Sequence, residues 1–313
     1  MSTEKIAISS IKPKDAQPQS WVDKMPDSLE PYCRLSRYDR PIGIWLLALP
    51  GWAGILFARL NEIPVWNDLI LAALIFVGAI AMRGAGCTYN DILDKDFDAK
   101  VDRTAGRPIP AGRVSVKQAW VWTLIQCLIG LAVLLTLPRF AQYIALGSIP
   151  FVAAYPLMKR ITWWPQAWLG LTLNWAALVS IAAINNALTL PDFLLYFGFM
   201  FWTIGYDTIY ALQDKEDDAM IGVKSTARRF GDKVKAAVFI LYGLSIACIG
   251  AACLLANAPI GLVGVVIFGG HLMLQAIKTS PDQGDSALAV FKSNREAAFL
   301  LIAGFGLSAL LLT

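Results

Sequence analysis

The sequence predicts an all-α membrane protein with nine transmembrane helices. Of its 313 residues, 57% are hydrophobic and 16% are charged, and the mean hydropathy is +0.55, whereas soluble proteins carry about 25% charged residues. Crossing a bilayer takes about 20 apolar residues in a helix, because a helix satisfies its own backbone groups. The nine candidate stretches are residues 42–58, 69–89, 119–137, 141–158, 167–188, 193–212, 236–256, 260–277 and 297–313.

The seventh and eighth stretches lie in one long uncharged segment. Residues 236–277 are too many for a single crossing, and Asn257, Ala258 and Pro259 stand at their middle. Asparagine and proline favour turns. These three residues therefore predict a tight turn between two helices.

The basic residues predict a cytoplasmic N-terminus and a C-terminus outside. With this orientation, all but three of the 27 Lys and Arg lie on the cytoplasmic side, as the positive-inside rule requires. Arg59 and Arg139 lie outside, and Arg83 lies within the second span. A charged residue inside a span indicates a polar cavity, unless its side chain reaches the interface.

Residues 1–33 are predicted to form a loose cytoplasmic tail, and residues 34–313 a single transmembrane domain. The tail mixes lysines with acidic residues, unlike an acid-poor transit peptide or a secretory signal. This composition favours a bacterial inner (plasma) membrane over a mitochondrial inner membrane. The net charge of +4 favours membrane lipids or an anionic substrate as partners, and nucleic acid is not expected.

Cysteine contributes little to the predicted function. The five cysteines are odd in number and scattered, mostly within apolar spans. They form neither a disulfide framework nor the spacing of a metal site.

Two acidic clusters each begin where a long apolar segment ends. The first is Asn90-Asp-Ile-Leu-Asp-Lys-Asp-Phe-Asp98. If the second helix continues past Tyr89, then Asn90, Asp94 and Asp98 share one face, with Asp91 near it. Carboxylates at this spacing repel one another unless a cation binds, and Mg²⁺ takes oxygen ligands from carboxylates, substrate phosphates and water.

The second cluster repeats this arrangement. Asp214 and Asp218 are four residues apart, and Asp207 lies two helical turns nearer the membrane. Two clusters on one membrane face predict a site that binds a metal-bound diphosphate from both sides. A single acidic loop, by contrast, would most simply be solvated.

Cationic residues accompany both clusters. Tyr155 and Lys159 would share a helix face if the fourth helix continues through Pro156. Cations can stabilise the charge on a departing diphosphate. The basic residues after the clusters are Arg103, Arg107 and Arg113 in the first case, and Lys224, Arg228 and Arg229 in the second.

These motifs resemble the UbiA superfamily of intramembrane aromatic prenyltransferases. The resemblance rests on NDILDKDFD followed by Asp-Arg-Thr and Arg-Pro-Ile-Pro, on Tyr206-Asp-Thr-Ile-Tyr-Ala211, and on Asp214-Lys-Glu-Asp-Asp218. The segments Arg37-Tyr-Asp-Arg-Pro-Ile-Gly43 and Gly222-Val-Lys-Ser-Thr-Ala227 further resemble the subgroup that acts on 4-hydroxybenzoate. The resemblance runs from about residue 34 to the C-terminus.

The resemblance implies one bundle of nine helices around a central cavity, and a role for each motif. Tyr155 and Lys159 would contact the diphosphate, and Asp207 would activate the acceptor. Arg37, Arg40 and Arg83 are the candidates for the acceptor carboxylate. The Mg²⁺ ligands would be Asn90, Asp91, Asp94, Asp98, Asp214 and Asp218, and the other diphosphate contacts Asn90, Arg103, Arg107, Lys224 and Arg228.

The implied activity is Mg²⁺-dependent prenylation. A polyprenyl group would move from its diphosphate to the ring carbon ortho to the phenol of 4-hydroxybenzoate, in ubiquinone biosynthesis. Alternative acceptors are homogentisate, a naphthoate, and haem or chlorophyll precursors. A Mg²⁺ or organic-anion transporter is less consistent with carboxylates at the membrane edge, and a non-catalytic lipid-binding protein would leave the paired spacing unexplained.

Overall fold

A computed structural model describes residues 19–101, 104–220, 222–280 and 284–311, and these contain helices and no strand. Short 3-10 turns connect several of the helices. The α-helices are α1 (Glu30–Leu35), α2 (Ile42–Ala58), α3 (Trp66–Asp98), α4 (Val116–Thr136), α5 (Arg139–Gly147), α6 (Ile149–Ile161), α7 (Pro165–Leu173), α8 (Trp175–Asn185), α9 (Leu190–Tyr210), α10 (Lys215–Met220), α11 (Thr226–Phe230), α12 (Val234–Leu255), α13 (Leu262–Lys278), α14 (Gly284–Lys292) and α15 (Asn294–Leu310).

The all-helical fold class is confirmed. Within the described residues, six helical stretches are long and apolar enough to cross a membrane, and α2 is a shorter apolar helix. The turn at Asn257 is also confirmed, because α12 ends at Leu255 and Asn257 adopts a left-handed backbone with φ of 56°. The count of nine spans and the orientation of the termini stay predictions.

Helix α3 continues through the first acidic cluster, beyond the predicted end of this span at Tyr89, which meets the condition under which Asn90, Asp94 and Asp98 share one face. It contains 33 residues, which corresponds to a length of about 50 Å against a hydrocarbon core of about 30 Å. The helix is therefore long enough to carry residues 90–98 beyond the apolar layer. Helix α6 likewise continues through Pro156, so Tyr155 and Lys159 are one helical turn apart.

Two of the predicted spans are each divided into two helices. One break is at Ser148, between α5 and α6, and the other is at Asn174, between α7 and α8. The buried Asn174 amide donates to the carbonyl oxygens of Gly170 and Phe199 and to the Thr203 hydroxyl. These hydrogen bonds compensate for the loss of regular helical bonding at the break.

By its internal contacts the chain divides into two compact units. The first comprises residues up to Trp45 together with Phe76–Leu135, and the second comprises Leu46–Ile75 together with the residues from Thr136 onwards. In the first unit, Leu35 of α1 packs with Ile92 of α3 and with Ile109 and Val114 of the following loop. This cluster holds the loop that follows the acidic end of α3.

Charged contacts also fix the N-terminal segment of the first unit. Arg34 pairs with Glu30 and with Asp23, the latter at 2.6 Å. Glu30 also accepts from Arg113 in the loop before α4. The division of the chain at residue 33 stays a prediction, and the structure places α1 across that position.

In the second unit, α9 packs along α12, and α13 packs against α15. Gly264 and Gly304 allow the last pair to approach closely, because a Cβ at Gly264 would lie 2.9 Å from the Gly304 Cα. Small residues at helix contacts are typical of membrane proteins, where close packing rather than hydrophobic exclusion associates helices.

Replacing Gly304 by Ala is expected to lower the free energy of unfolding by about 2 kcal/mol, because the added Cβ overlaps the Gly264 backbone. Gly306→Ala is the control, since its Cβ would meet only Leu56 at an ordinary 3.6 Å. Thermal unfolding in one detergent measures both variants. Equal melting temperatures would contradict the close helix contact.

Candidate active site

Two side chains at the acidic end of α3, those of Asn90 and Asp94, contact each other. The Asn90 side-chain amide donates to Asp94 Oδ2 at 3.1 Å. Asp94 is only 1% exposed. The predicted i, i+4 relation therefore places an amide and a carboxylate side by side at the end of the helix.

Asp91 and Asp98 contact arginines. Asp91 Oδ1 accepts from Arg37 Nη2 at 2.6 Å and lies 3.4 Å from Arg107 Nη1. The same Arg107 nitrogen donates to Asp98 Oδ2 at 2.8 Å. Arg107 thus bridges two carboxylates that are two helical turns apart, and opposite charges offset the repulsion within the cluster.

Arg37 reaches Asp91 from an uncommon backbone conformation. Its φ is 56°, a left-handed value that costs a non-glycine residue energy unless the surroundings hold it. The guanidinium also donates to the Arg34 carbonyl oxygen at 2.9 Å. Hydrogen bonds of the flanking residues Ser36 and Tyr38 also stabilise this conformation.

A buried amide, Gln126 of α4, anchors the segment around Arg37. Its Oε1 lies 3.3 Å from both the Ser36 and the Tyr38 hydroxyls, and Trp122 Nε1 donates to Ser36 at 2.8 Å. Burial raises the pKa of the Tyr38 hydroxyl, so it stays a donor. Sequence reasoning missed this group, although a Gln within an apolar span was a signal for it.

The side chains at the end of α3 fit Mg²⁺. Among the described side chains, no three from His, Cys, Asp and Glu are grouped so that they could hold a metal ion alone. The protein need not supply every ligand, because Mg²⁺ commonly takes one or two carboxylates together with substrate phosphates and water. Asp91 Oδ2 is a buried oxygen that receives no hydrogen bond from the described residues, and Asn90 and Asp94 supply further oxygens nearby.

Arg83 differs from the other two arginines proposed for the acceptor carboxylate. Arg37 contacts Asp91, and Arg40 contacts Asp39 at 3.4 Å. Arg83 is partly buried, and within the described part of the chain it has neither an ion pair nor a hydrogen bond. Its guanidinium lies against Gly43 of α2. Arg83 is therefore available to bind an anion.

The second acidic cluster is described in part. Asp207 lies near the end of α9 and is partly buried. The backbone around Asp214 and Asp218 is helical, but their side chains lie outside the described residues, as does Arg103. The metal and diphosphate roles given to these three residues stay predictions.

The loop after the second cluster is bound to the end of α6. The Lys224 backbone N–H donates to the Lys159 carbonyl oxygen at 3.1 Å, and Lys224 Nζ donates to the Ile161 carbonyl oxygen at 3.1 Å. Arg228 lies over the Trp163 ring, 5.4 Å from its centre. These contacts gather three of the predicted diphosphate-binding cations in the second unit.

Thr226 fixes the same loop to the helix that carries Asp207. Its hydroxyl lies 2.6 Å from that of Thr208, and its backbone N–H donates to Gln166 at 3.0 Å. Thr208 is the residue after Asp207, so the loop and the predicted acceptor-activating residue are held together. Gln166 was not singled out from the sequence, and Thr226 entered only as part of the segment at residues 222–227.

Comparison with known proteins decides the family. A sequence model described as the UbiA prenyltransferase family matches residues 47–311. The chain belongs to the UbiA prenyltransferase family. The prediction of a transferase is thus confirmed over a transporter or a non-catalytic membrane protein.

The curated relatives of this UbiA-family chain include enzymes named for 4-hydroxybenzoate. The mitochondrial 4-hydroxybenzoate polyprenyltransferase of Rattus norvegicus is 44% identical over 293 residues, covering 90% of this chain and 76% of the relative. The 4-hydroxybenzoate geranyltransferase 2 of Lithospermum erythrorhizon is 46% identical over 245 residues, covering 77% of each.

Solved structures share the fold. A UbiA homologue from Aeropyrum pernix superposes with a TM-score of 0.70 at 24% identity, covering 84% of this chain and 96% of that chain. A UbiA homologue from Archaeoglobus fulgidus, described as bound to GPP and Mg²⁺, gives 0.63 at 18% identity, covering 89% and 99%.

The expectation of a bacterial inner membrane is wrong. The rat, human and fruit-fly relatives are all named mitochondrial, although a multi-pass membrane protein is supported. The expectation relied on acidic residues near the N-terminus. Asp23 and Glu30 instead make ion pairs with Arg34, so their presence reflects packing of this segment rather than a compartment.

Replacing Asp91 by Asn is expected to lower the free energy of unfolding by about 3 kcal/mol, because it removes the carboxylate shared by the guanidiniums of Arg37 and Arg107. Asp96→Asn is the control, since Asp96 is exposed on the same helix. Thermal unfolding in detergent without Mg²⁺ compares the two variants. An unchanged melting temperature for Asp91→Asn would contradict a structural role for the ion pairs.

Proposed function

We propose that this chain transfers a polyprenyl group from a polyprenyl diphosphate to the ring carbon ortho to the phenol of 4-hydroxybenzoate, in a mitochondrial membrane. The relatives support the acceptor, because enzymes named for a polyprenyl and for a geranyl donor are both named for 4-hydroxybenzoate. The observation that carries the proposal is the face shared by Arg83, Asn90 and Asp94 on one helix.

The diphosphate end is proposed to lie at Asn90 and Asp94. These oxygens, with Asp91 and Asp98, would hold Mg²⁺, which supplies positive charge to the departing diphosphate. Arg107 is kept at this end of α3 by its contacts with Asp91 and Asp98. The sequence pattern assigns Asp214 and Asp218 a matching role in the second unit.

From the sequence pattern, Lys159, Lys224 and Arg228 are proposed to bind the diphosphate as cations. Lys159 and Lys224 are adjacent through a backbone hydrogen bond, and Arg228 is held near them by Trp163 and Val223. With Tyr155 and Arg103, these side chains would stabilise the electron pair that the diphosphate retains when the allylic C–O bond breaks. The long donor tail stays in the bilayer, where its apolar surface avoids water.

The acceptor end is proposed to lie at Arg83. A partly buried guanidinium that has no ion pair or hydrogen bond to any described residue favours an anionic ligand, and its planar fork matches a carboxylate. Positions 83, 90 and 94 are related by i, i+7 and i+11, which places them on one helix face. Arg83 would thus bind the benzoate carboxylate while the phenol end points toward the diphosphate.

Asp207 is proposed to accept the phenol proton as the new carbon–carbon bond forms. The attacked ring carbon then loses its hydrogen as a proton and the phenol is re-formed, so the net change replaces one ring hydrogen by the prenyl group, with diphosphate and a proton released. The helix that carries Asp207 is lined here by aromatic residues, since Tyr206 packs against Trp202 and Phe291 with ring centres 5.2 and 5.6 Å apart. Apolar and aromatic side chains around the donor are proposed to exclude water, which would otherwise capture the allylic cation. A carboxylate in this position raises the nucleophilicity of the ring as a general base.

Replacing Asp94 by Ala is expected to reduce Mg²⁺-dependent prenylation on the order of 100-fold, because charge stabilisation on the diphosphate is lost. Initial rates in proteoliposomes, at varied Mg²⁺ and donor concentrations, measure the effect. Asp96→Ala, at an exposed position of the same helix, is the control. Wild-type Mg²⁺ dependence in Asp94→Ala would refute the diphosphate role of Asp94.

Replacing Asp207 by Asn, in contrast, should lower kcat while the KM for the donor stays constant, because the proposed general base is lost.

Replacing Arg83 by Gln is expected to raise the KM for 4-hydroxybenzoate by about tenfold or more, since a charge-assisted bond to a carboxylate contributes about 1.5–3 kcal/mol. The KM for the donor should not change. The uncharged acceptor 4-hydroxybenzamide is the control, because both enzymes should use it equally. An unchanged KM for 4-hydroxybenzoate would exclude Arg83 as the carboxylate site.

A further inference from the structure

Gly43, in the first turn of α2, provides the space that the Arg83 guanidinium occupies. A Cβ at Gly43 would lie 2.6 Å from Nε, 2.8 Å from Nη2 and 2.9 Å from Cζ of Arg83. Gly43 does not have a positive φ, so its backbone suits any residue. The contact with Arg83, rather than backbone geometry, accounts for glycine at this position.

This contact restricts an otherwise flexible side chain. An arginine has several rotatable bonds, and within the described residues no ion pair or hydrogen bond holds Arg83. Packing against Gly43 is therefore the contact that locates its charged end. Any residue with a Cβ would force the guanidinium to a new position.

Arg83 and Asn90 lie on one face of α3. They are seven residues apart, which corresponds to a rise of about 10 Å between their backbone positions. Gly86 lies between them and carries no side chain, and a Cβ there would meet none of the other described groups within 4 Å. This rise is on the scale of a single aromatic ring with a phosphate group beyond it.

We propose that Gly43 is a specificity-determining residue that acts through Arg83, an inference that rests on the proposed carboxylate role of Arg83. By seating the guanidinium, Gly43 fixes the distance between the carboxylate and diphosphate positions. The enzyme thereby selects aromatic acids whose carboxylate is attached directly to the ring, opposite the hydroxyl. An acid with one additional methylene between ring and carboxylate does not fit this distance.

The test measures Gly43→Ala in the wild-type and Arg83→Gln backgrounds, with 4-hydroxybenzoate and 4-hydroxyphenylacetate as acceptors. In the wild-type background, the KM for 4-hydroxybenzoate should rise on the order of tenfold, because a misplaced binding group costs productive geometry. The ratio of kcat/KM for 4-hydroxybenzoate to kcat/KM for 4-hydroxyphenylacetate should fall. The KM for the donor and the melting temperature should stay nearly constant, because the displaced atoms end a flexible side chain.

Gly78→Ala is the matched control, since it lies on α3 and its Cβ would meet only Val133, at 3.7 Å. In the Arg83→Gln background, Gly43→Ala should have no further effect on the KM for 4-hydroxybenzoate, because the two positions act as a coupled pair. If Gly43→Ala raised this KM equally in both backgrounds, Gly43 would act through packing alone, and the proposal would be overturned.

The two proposals fail in different ways. If Arg83→Gln leaves the KM for 4-hydroxybenzoate unchanged, the carboxylate role of Arg83 is wrong, and the inference about Gly43 falls with it. If Arg83→Gln raises that KM but Gly43→Ala does not, only the role of Gly43 is overturned.

Discussion

The pairing of Asp91 and Asp98 with Arg37 and Arg107 determines what the acidic end of α3 can do. Several carboxylates within nine residues of one helix would repel one another strongly, the more so because Asp91 and Asp94 are buried. Removing a charge from water costs several kcal/mol unless a partner compensates. The arginines compensate for Asp91 and Asp98, and Asp94 accepts from the Asn90 amide. The cluster is thereby divided between carboxylate oxygens that pair with arginine and oxygens suited to a ligand.

This division explains why the segment around Arg37 is so heavily supported. A left-handed arginine is unfavourable, and here it is sustained by the hydrogen bonds that Ser36 and Tyr38 make to a buried amide on α4. Gly84 leaves room for that amide, because a Cβ there would collide with Gln126. In the second unit, Thr226 similarly connects the loop after the second cluster to both Gln166 and Thr208. In each unit, a glutamine outside the recognised motifs, Gln126 or Gln166, positions residues within them.

The sequence predicted the elements better than the contacts between them. Helix α2 has the predicted bounds. Helices α3 and α6 continue through the acidic cluster and through Pro156, which were the conditions for the shared helix faces. Hydrophobic periodicity did not reveal the break at Asn174, because the flanking residues are equally apolar and the compensating hydrogen bonds come from Phe199 and Thr203 of another helix. Similarly, three arginines were equivalent candidates for the acceptor until their partners were known. A residue type indicates that a partner is needed, whereas only the fold identifies it.

The continuity of α3 has a consequence for how the protein responds to its membrane. Bilayers differ in thickness, and long helices adapt to a thinner or thicker one chiefly by tilting. The backbone positions of Arg83 and Asn90 belong to the same unbroken helix, so tilting moves them as one body and leaves the rise between them unaltered. Groups on two different helices would slide past each other under the same change. Lipid composition can therefore alter the orientation of this helix without altering the spacing between these two backbone positions.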